Sequence, residues 1–145
     1  MTAESECVIT QDERTMATLA HALQVVGWWI APLIIFIVQR KSRFVSFHAL
    51  QALLFQIAYL ILMIGCMVLW FATIFSTVLQ QGPDKSAPPP ALFILMPVIW
   101  LGFMSAWIVM LVVAILYAIK AGRGEWAAYP ILGRLARRIL KIEAA

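Results

Sequence analysis

The chain has 145 residues, 63% of them hydrophobic, with 11 Lys and Arg against 7 Asp and Glu and a mean hydropathy of +0.92. Charged residues make up 12%, about half the share of an ordinary soluble domain, so a soluble chain of this length could not cover its core. That excludes a disordered protein, a soluble enzyme domain and, in spite of a pI near 9.4, a nucleic-acid binder. The bilayer is the expected solvent.

The polar tail, residues 1–14, has no basic n-region and no small-residue cleavage site, so no signal peptide is expected. Thr10-Gln11-Asp12-Glu13 fits a capping box, in which the Thr10 hydroxyl and the Glu13 carboxylate each satisfy an orphan amide. No charge interrupts 15–39, and roughly 20 apolar residues cross about 30 Å of hydrocarbon. The expectation is a first span, kinked at Pro32. A break near Gly27, giving an interfacial helix and a half-span, is the alternative. Arg40-Lys41-Ser42-Arg43 then makes a tight basic loop.

The second apolar stretch, 44–79, would be about 54 Å long at 1.5 Å per residue, so its first turns belong in the headgroup zone or the helix tilts. Residues 80–90 hold Gly82, Pro83, Pro88, Pro89 and Pro90 and form a loop. A third span covers 91–120. Nine of the eleven Lys and Arg fall in the first loop or after this span. By the positive-inside rule that places the C-terminus in the cytoplasm and, with three spans, the N-terminus outside. Residues 121–145 form a basic segment in which Ile131, Leu132, Leu135, Ile139 and Ile142 share one helical arc and Arg134, Arg137, Arg138 and Lys141 the opposite one. This pattern predicts an interfacial helix on anionic lipid.

The chemistry-bearing residues concentrate on the second span. His48, Gln51, Gln56 and Tyr59 share a helical face with Cys66, Thr73 and Thr77. Lipid would leave them unpartnered, so the face should turn toward protein. Either it packs the bundle, in which case Gln51→Leu or Gln56→Leu should cost little, or it docks a partner or lines a path. His-Ala-Leu-Gln occurs at 21–24 and again at 48–51, which raises a bis-histidine metal or haem site. In the three-span topology the two histidines lie about 20 Å apart along the membrane normal, too far for one metal. No metal or cofactor is therefore expected, a chlorophyll or haem held by His48 alone being the alternative. Nor do His-Glu-x-x-His, Gly-x-Ser-x-Gly or an intramembrane carboxylate occur, so no enzyme is expected.

Pro32-Leu33-Ile34-Ile35 before the basic loop, Phe47-His48-Ala49, Gln51-Ala52-Leu53, Phe55-Gln56, and Ala118-Ile119-Lys120-Ala121 with Gly124-Glu125-Trp126 and Tyr129-Pro130 form a further pattern. It resembles the Tic-twenty-like family of bacterial membrane proteins, similar to a subunit of the chloroplast inner-envelope import translocon; Leu54 departs from that pattern. The resemblance implies a small helical membrane protein with a distant tie to translocation. The expected protein is thus all-α, an integral membrane bundle of three transmembrane helices plus a C-terminal amphipathic helix in a bacterial cytoplasmic membrane. Its expected role is that of a non-enzymatic accessory or scaffold subunit packing against other membrane proteins or itself. A small channel or carrier, and a membrane enzyme with a site shared with a partner, are the alternatives.

Overall fold

The structure is a computed structural model and describes residues 9–80 and 90–142. The polar tail before Ile9 and the proline-rich connection fall outside the described residues. Every regular element among them is a helix: α1 Gln11–Ala22, α2 Gln24–Gly27, α3 Ile30–Val38, α4 Arg43–Gln80, α5 Pro90–Gly122 and α6 Leu132–Leu140. The capping box forms as the sequence predicts, with the Thr10 amide donating to Glu13 Oε2 at 2.9 Å and the Glu13 amide to Thr10 Oγ1 at 3.3 Å. The second and third stretches become α4 and α5. Among the described residues these two, over Arg43–Leu79 and Phe93–Gly122, are the helices long and apolar enough to cross a membrane.

The first stretch is not a third span. It is cut into α1, α2 and α3. α1 has its α-helical geometry interrupted at Leu23, and α2 ends at Trp28, whose φ of 51° no β-carbon-bearing residue adopts without strain. The break follows Gly27, and the chain then folds back. Asp12, Glu13, Thr15 and Met16 near the start line one small cavity with Gln39 at the end, and the Glu13 carboxylate reaches Ser42. A stretch whose two ends meet cannot connect opposite membrane faces. Hydropathy alone mistook a helical hairpin for a span because 15–39 carries no formal charge.

The chain divides into two compact units. One comprises the residues up to Ile57 and from Leu111 onward. Within it every residue from Phe44 to Ala52 is buried, so this part of α4 is enclosed on all faces rather than on one stripe. α6 closes the unit with Ala136 against Phe47 and Leu50. Its approach requires glycine at 133, where a Cβ would stand 2.6 Å from Ala128 Cβ and 2.9 Å from Ala128 Cα. The helix therefore has three faces, not two. Gly133 and Ala136 turn inward, Ile131, Leu135 and Ile139 stay exposed, and the basic residues occupy the remainder.

The second unit, Ala58–Met110, is a pair of helix segments with outward apolar side chains such as Leu69, Phe75, Ile94 and Leu101. Exposure of this kind suits lipid rather than water. Trp70 Nε1 donates to Met96 Sδ at 3.3 Å between the segments, and Thr73, Thr77 and Ser105 donate to carbonyls one turn back in their own helices.

Because Thr18 Oγ1 donates to Ala118 O at 3.3 Å, α1 lies at the end of α5 from which the C-terminal segment leaves. The expectation that the two termini are separated by the membrane loses its basis. Cysteines placed at the exposed positions Gln11 and Lys141, in a background without Cys7 and Cys66, should react with a membrane-impermeant maleimide from one and the same side. Labelling from opposite sides would restore the three-span topology.

Candidate functional site

The functional candidates gather around an irregular stretch, Glu125–Tyr129, between α5 and α6. It has no regular secondary structure, yet Tyr129 is only 3% exposed. Glu125 and Trp126 are exposed and Ala127 and Ala128 half-buried, so the backbone groups toward the inner end need partners from side chains. α4 and α5 supply them. His48 Nε2 donates to the Glu125 carbonyl at 3.0 Å, and Gln51 Nε2 donates to the Ala127 carbonyl at 3.2 Å. Gln51 Oε1 accepts from the Tyr129 amide at 2.7 Å. Tyr117 Oη donates to the Ala128 carbonyl at 3.1 Å. One turn of α4 thus clamps the segment that leads into α6.

The other nitrogen of His48 turns to α1. His48 Nδ1 lies 3.0 Å from His21 Nε2, and His21 Nδ1 lies 3.1 Å from the Tyr129 hydroxyl. The Glu125 carbonyl can only accept, which fixes the proton of neutral His48 on Nε2 and makes its Nδ1 an acceptor. His21 Nε2 then donates, and the Tyr129 hydroxyl donates to His21 Nδ1. The result is one directed chain, Tyr129 to His21 to His48 to Glu125. Burial, reinforced by the neighbouring His48, pushes the His21 pKa down to about 3. Burial also raises that of Tyr129.

Around this chain the walls are aromatic. Phe44 lies 4.7 Å from His48 between ring centroids, Trp126 lies 5.3 Å from Phe44, and Tyr117 meets Tyr129 edge-on at 4.1 Å. Gln56 Nε2 donates to the Gln24 carbonyl at 2.7 Å and ties α2 to α4. The wholly buried Gln24 amide lies beside the Tyr129 hydroxyl; its oxygen and nitrogen complete no hydrogen bond of strict geometry.

His48, Gln51 and Gln56 are accordingly brought together, as the shared helical face predicts, and they face protein. Tyr59 belongs to the other unit. Of the basic set, Arg137 turns back over the Phe47 ring at 5.5 Å and Arg134 Nε donates to the Pro130 carbonyl at 3.1 Å. Arg138 and Lys141 are exposed. The separation of about 20 Å expected between His21 and His48 is wrong, because it rested on a span that does not form. His21, Gln24, Tyr117 and Tyr129 complete the site. The signal for two of them was the repeated His-Ala-Leu-Gln, which gives α1 and α4 matching polar turns. No group of three or more His, Cys, Asp or Glu able to hold a metal occurs among the described residues.

A family described as magnetosome magnetite crystal formation proteins, MamF/MmsF, matches residues 12–136, the stretch that holds the clamp. The chain belongs to the MamF/MmsF family. No curated protein and no solved structure matches it. Family membership and the two long apolar helices make it an integral membrane protein. The resemblance to a Tic-twenty-like family is overturned by this match. Its supporting residues, Phe47-His48-Ala49, Gln51 and Tyr129-Pro130 among them, are the parts of the clamp, and a packing pattern does not by itself carry a translocon role.

Two outcomes follow from the site. Gln51→Leu should destabilise the detergent-solubilised protein, not leave it unaffected, because the buried Tyr129 N–H and the part-buried Ala127 C=O both lose their partner. Each such orphan costs about 1–3 kcal/mol, read as a lower thermal midpoint; an unchanged midpoint would show that Gln51 does not hold the segment. Acid should act through His21. Its unfolded pKa is about 6.5 and its folded value about 3, so between them the unfolded chain binds more protons. Stability is then complete above the upper value and falls as pH drops toward the lower. From neutrality to about pH 5, above most carboxylate titration, the thermal midpoint should fall, and His21→Gln should flatten that dependence.

Proposed function

We propose that this protein is a non-enzymatic integral component of the magnetosome membrane that takes part in magnetite crystal formation as an accessory or scaffold subunit. The observation that carries this reading is the clamp. The hydrogen-bonding groups of α4 that could have served a partner or a path are spent on backbone inside the protein, at Glu125, Ala127 and Tyr129. That is the chemistry of a fixed shape. It gives no support to a channel lined by the same face, since His48 and Gln51 have no exposed surface.

Charge supports an orientation. With two spans, ten of the eleven Lys and Arg lie at the end that carries α1, the 40–43 loop and α6, and only Lys85 lies in the connection between α4 and α5. By the positive-inside rule the basic end is cytoplasmic, α1 included. The α4–α5 connection, 81–89, then faces the opposite side, and its sole carboxylate is Asp84. One carboxylate is a poor template for a mineral surface, which favours action through neighbouring membrane proteins.

Deletion in a magnetite-forming host, followed by electron microscopy, tests the reading. Crystals altered in size or shape, restored by the intact gene, are expected. Unaltered crystals would overturn it, and a purified homo-oligomer that conducts ions in liposomes would support the channel instead.

A further inference from the structure

Outside the clamp, the same unit carries an open apolar groove of about 450 Å³ between α1–α2 and α5, within the size range of small-ligand sites. Thr18, Ala22 and Val26 form one wall, and Ile115, Ala118 and Ile119 the other. Thr18, Ala22 and Val26 are four apart along α1 and α2, and Ile115 and Ile119 are four apart along α5 with Ala118 beside them. Each row ends in an arginine on the same side. Arg14 precedes Thr18 by one turn, and Arg123 follows Ile119 by one turn. Arg14 lies beside Gly124, the residue that follows Arg123: a Cβ on Gly124 would stand 3.1 Å from Arg14 Nε, and that residue's φ of 79° also demands glycine.

Arg14 Nε is buried and has no hydrogen-bond partner, and no ion pair involves Arg14 among the described residues. Among the described residues Arg123 pairs with the Glu125 carboxylate at 4.0 Å, where Arg123 is largely and Glu125 about half exposed. The nearby Glu13 is engaged with Thr10 and Ser42. An apolar trough ending at two weakly committed guanidinium groups has the polarity of a phospholipid: acyl chain along the trough, phosphate at the arginines.

We propose that this groove binds one anionic phospholipid, its acyl chain between α1–α2 and α5 and its phosphate between Arg14 and Arg123. The site is separate from the clamp and does not rest on the crystal-formation reading. The basic face of α6 attracts anionic lipid as a surface; the groove holds a single molecule.

Native mass spectrometry of the full chain in mild detergent, with dioleoyl phosphatidylglycerol or dioleoyl phosphatidylcholine added, tests this. One phosphatidylglycerol per chain should be retained with a preference of roughly tenfold, the order expected from two cationic contacts. Arg14→Gln with Arg123→Gln should reduce that preference to near unity. Ala22 is exposed, so Ala22→Phe fills the trough from outside the core and should remove both lipids at an unchanged thermal midpoint. Arg134→Gln, Arg138→Gln and Lys141→Gln together should leave the single adduct in place. A preference that survives loss of Arg14 and Arg123, or disappears with the α6 charges, would overturn the assignment. So would inorganic phosphate that stabilises wild type and the Ala22→Phe variant equally, since the ligand would then be a free anion.

Discussion

Buried, irregular backbone must be hydrogen-bonded by something, and in a protein of this hydropathy water is not available everywhere to do it. From Glu125 to Tyr129 the chain is neither helix nor strand, and His48, Gln51 and Tyr117 supply the partners. The rest of the first unit follows from this requirement. Phe44–Ala52 is enclosed because the segment it grips lies on one side and α1 on another. α6 is placed because the segment that precedes it is fixed, and Gly133 lets it approach Ala128 to within contact. α1 is drawn in because His48 has a second nitrogen, and His21 is the group that meets it.

That demand also explains why an apolar stretch without charges does not cross the membrane. Residues 15–39 could have spanned on length alone. Instead the side chains of Thr18 and His21 find polar partners on α4, α5 and the clamp segment, and the Gln24 carbonyl accepts from Gln56; in a lipid-facing helix those partners would be lost. Turning back costs strain at Trp28, about 1–3 kcal/mol for a residue in so sparse a region of backbone space. Several buried hydrogen bonds at about 1 kcal/mol each offset it.

The parts legible in the sequence are those governed by local rules. α4 and α5 end within two residues of the stretches marked by charge and proline, and the Thr10–Glu13 box forms as its spacing requires. The shared face of His48, Gln51 and Gln56 is a matter of helical period and turns inward as expected. The hairpin was not legible, because hydropathy counts charges and is blind to which uncharged polar groups will find one another. The His21–His48 contact was hidden by the same error, although the repeated tetrapeptide held it in plain view. The third face of α6 was missed because Gly133 and Ala136 have little weight on a helical wheel, where small residues look neutral but mark close packing. The family was misassigned for a related reason: the motif residues that seemed diagnostic are packing residues.

What the site can do follows from its protonation. A proton relay works when its members titrate near the operating pH. With a pKa near 3, His21 is neutral under ordinary conditions, and burial holds the Tyr129 hydroxyl protonated above its usual range. The hydrogen bonds from Tyr129 through His21 and His48 to Glu125 therefore have a single direction, set by a carbonyl that can only accept. Reversing them would turn the lone pair of His48 Nε2 toward that carbonyl and forfeit the hydrogen bond to Glu125. The chain ties α1, α4 and the segment before α6 together in one hydrogen-bond pattern. The polar groups of the clamp hold shape, and even on the basic helix Arg134 and Arg137 turn back onto the protein, while Arg138 and Lys141 stay exposed.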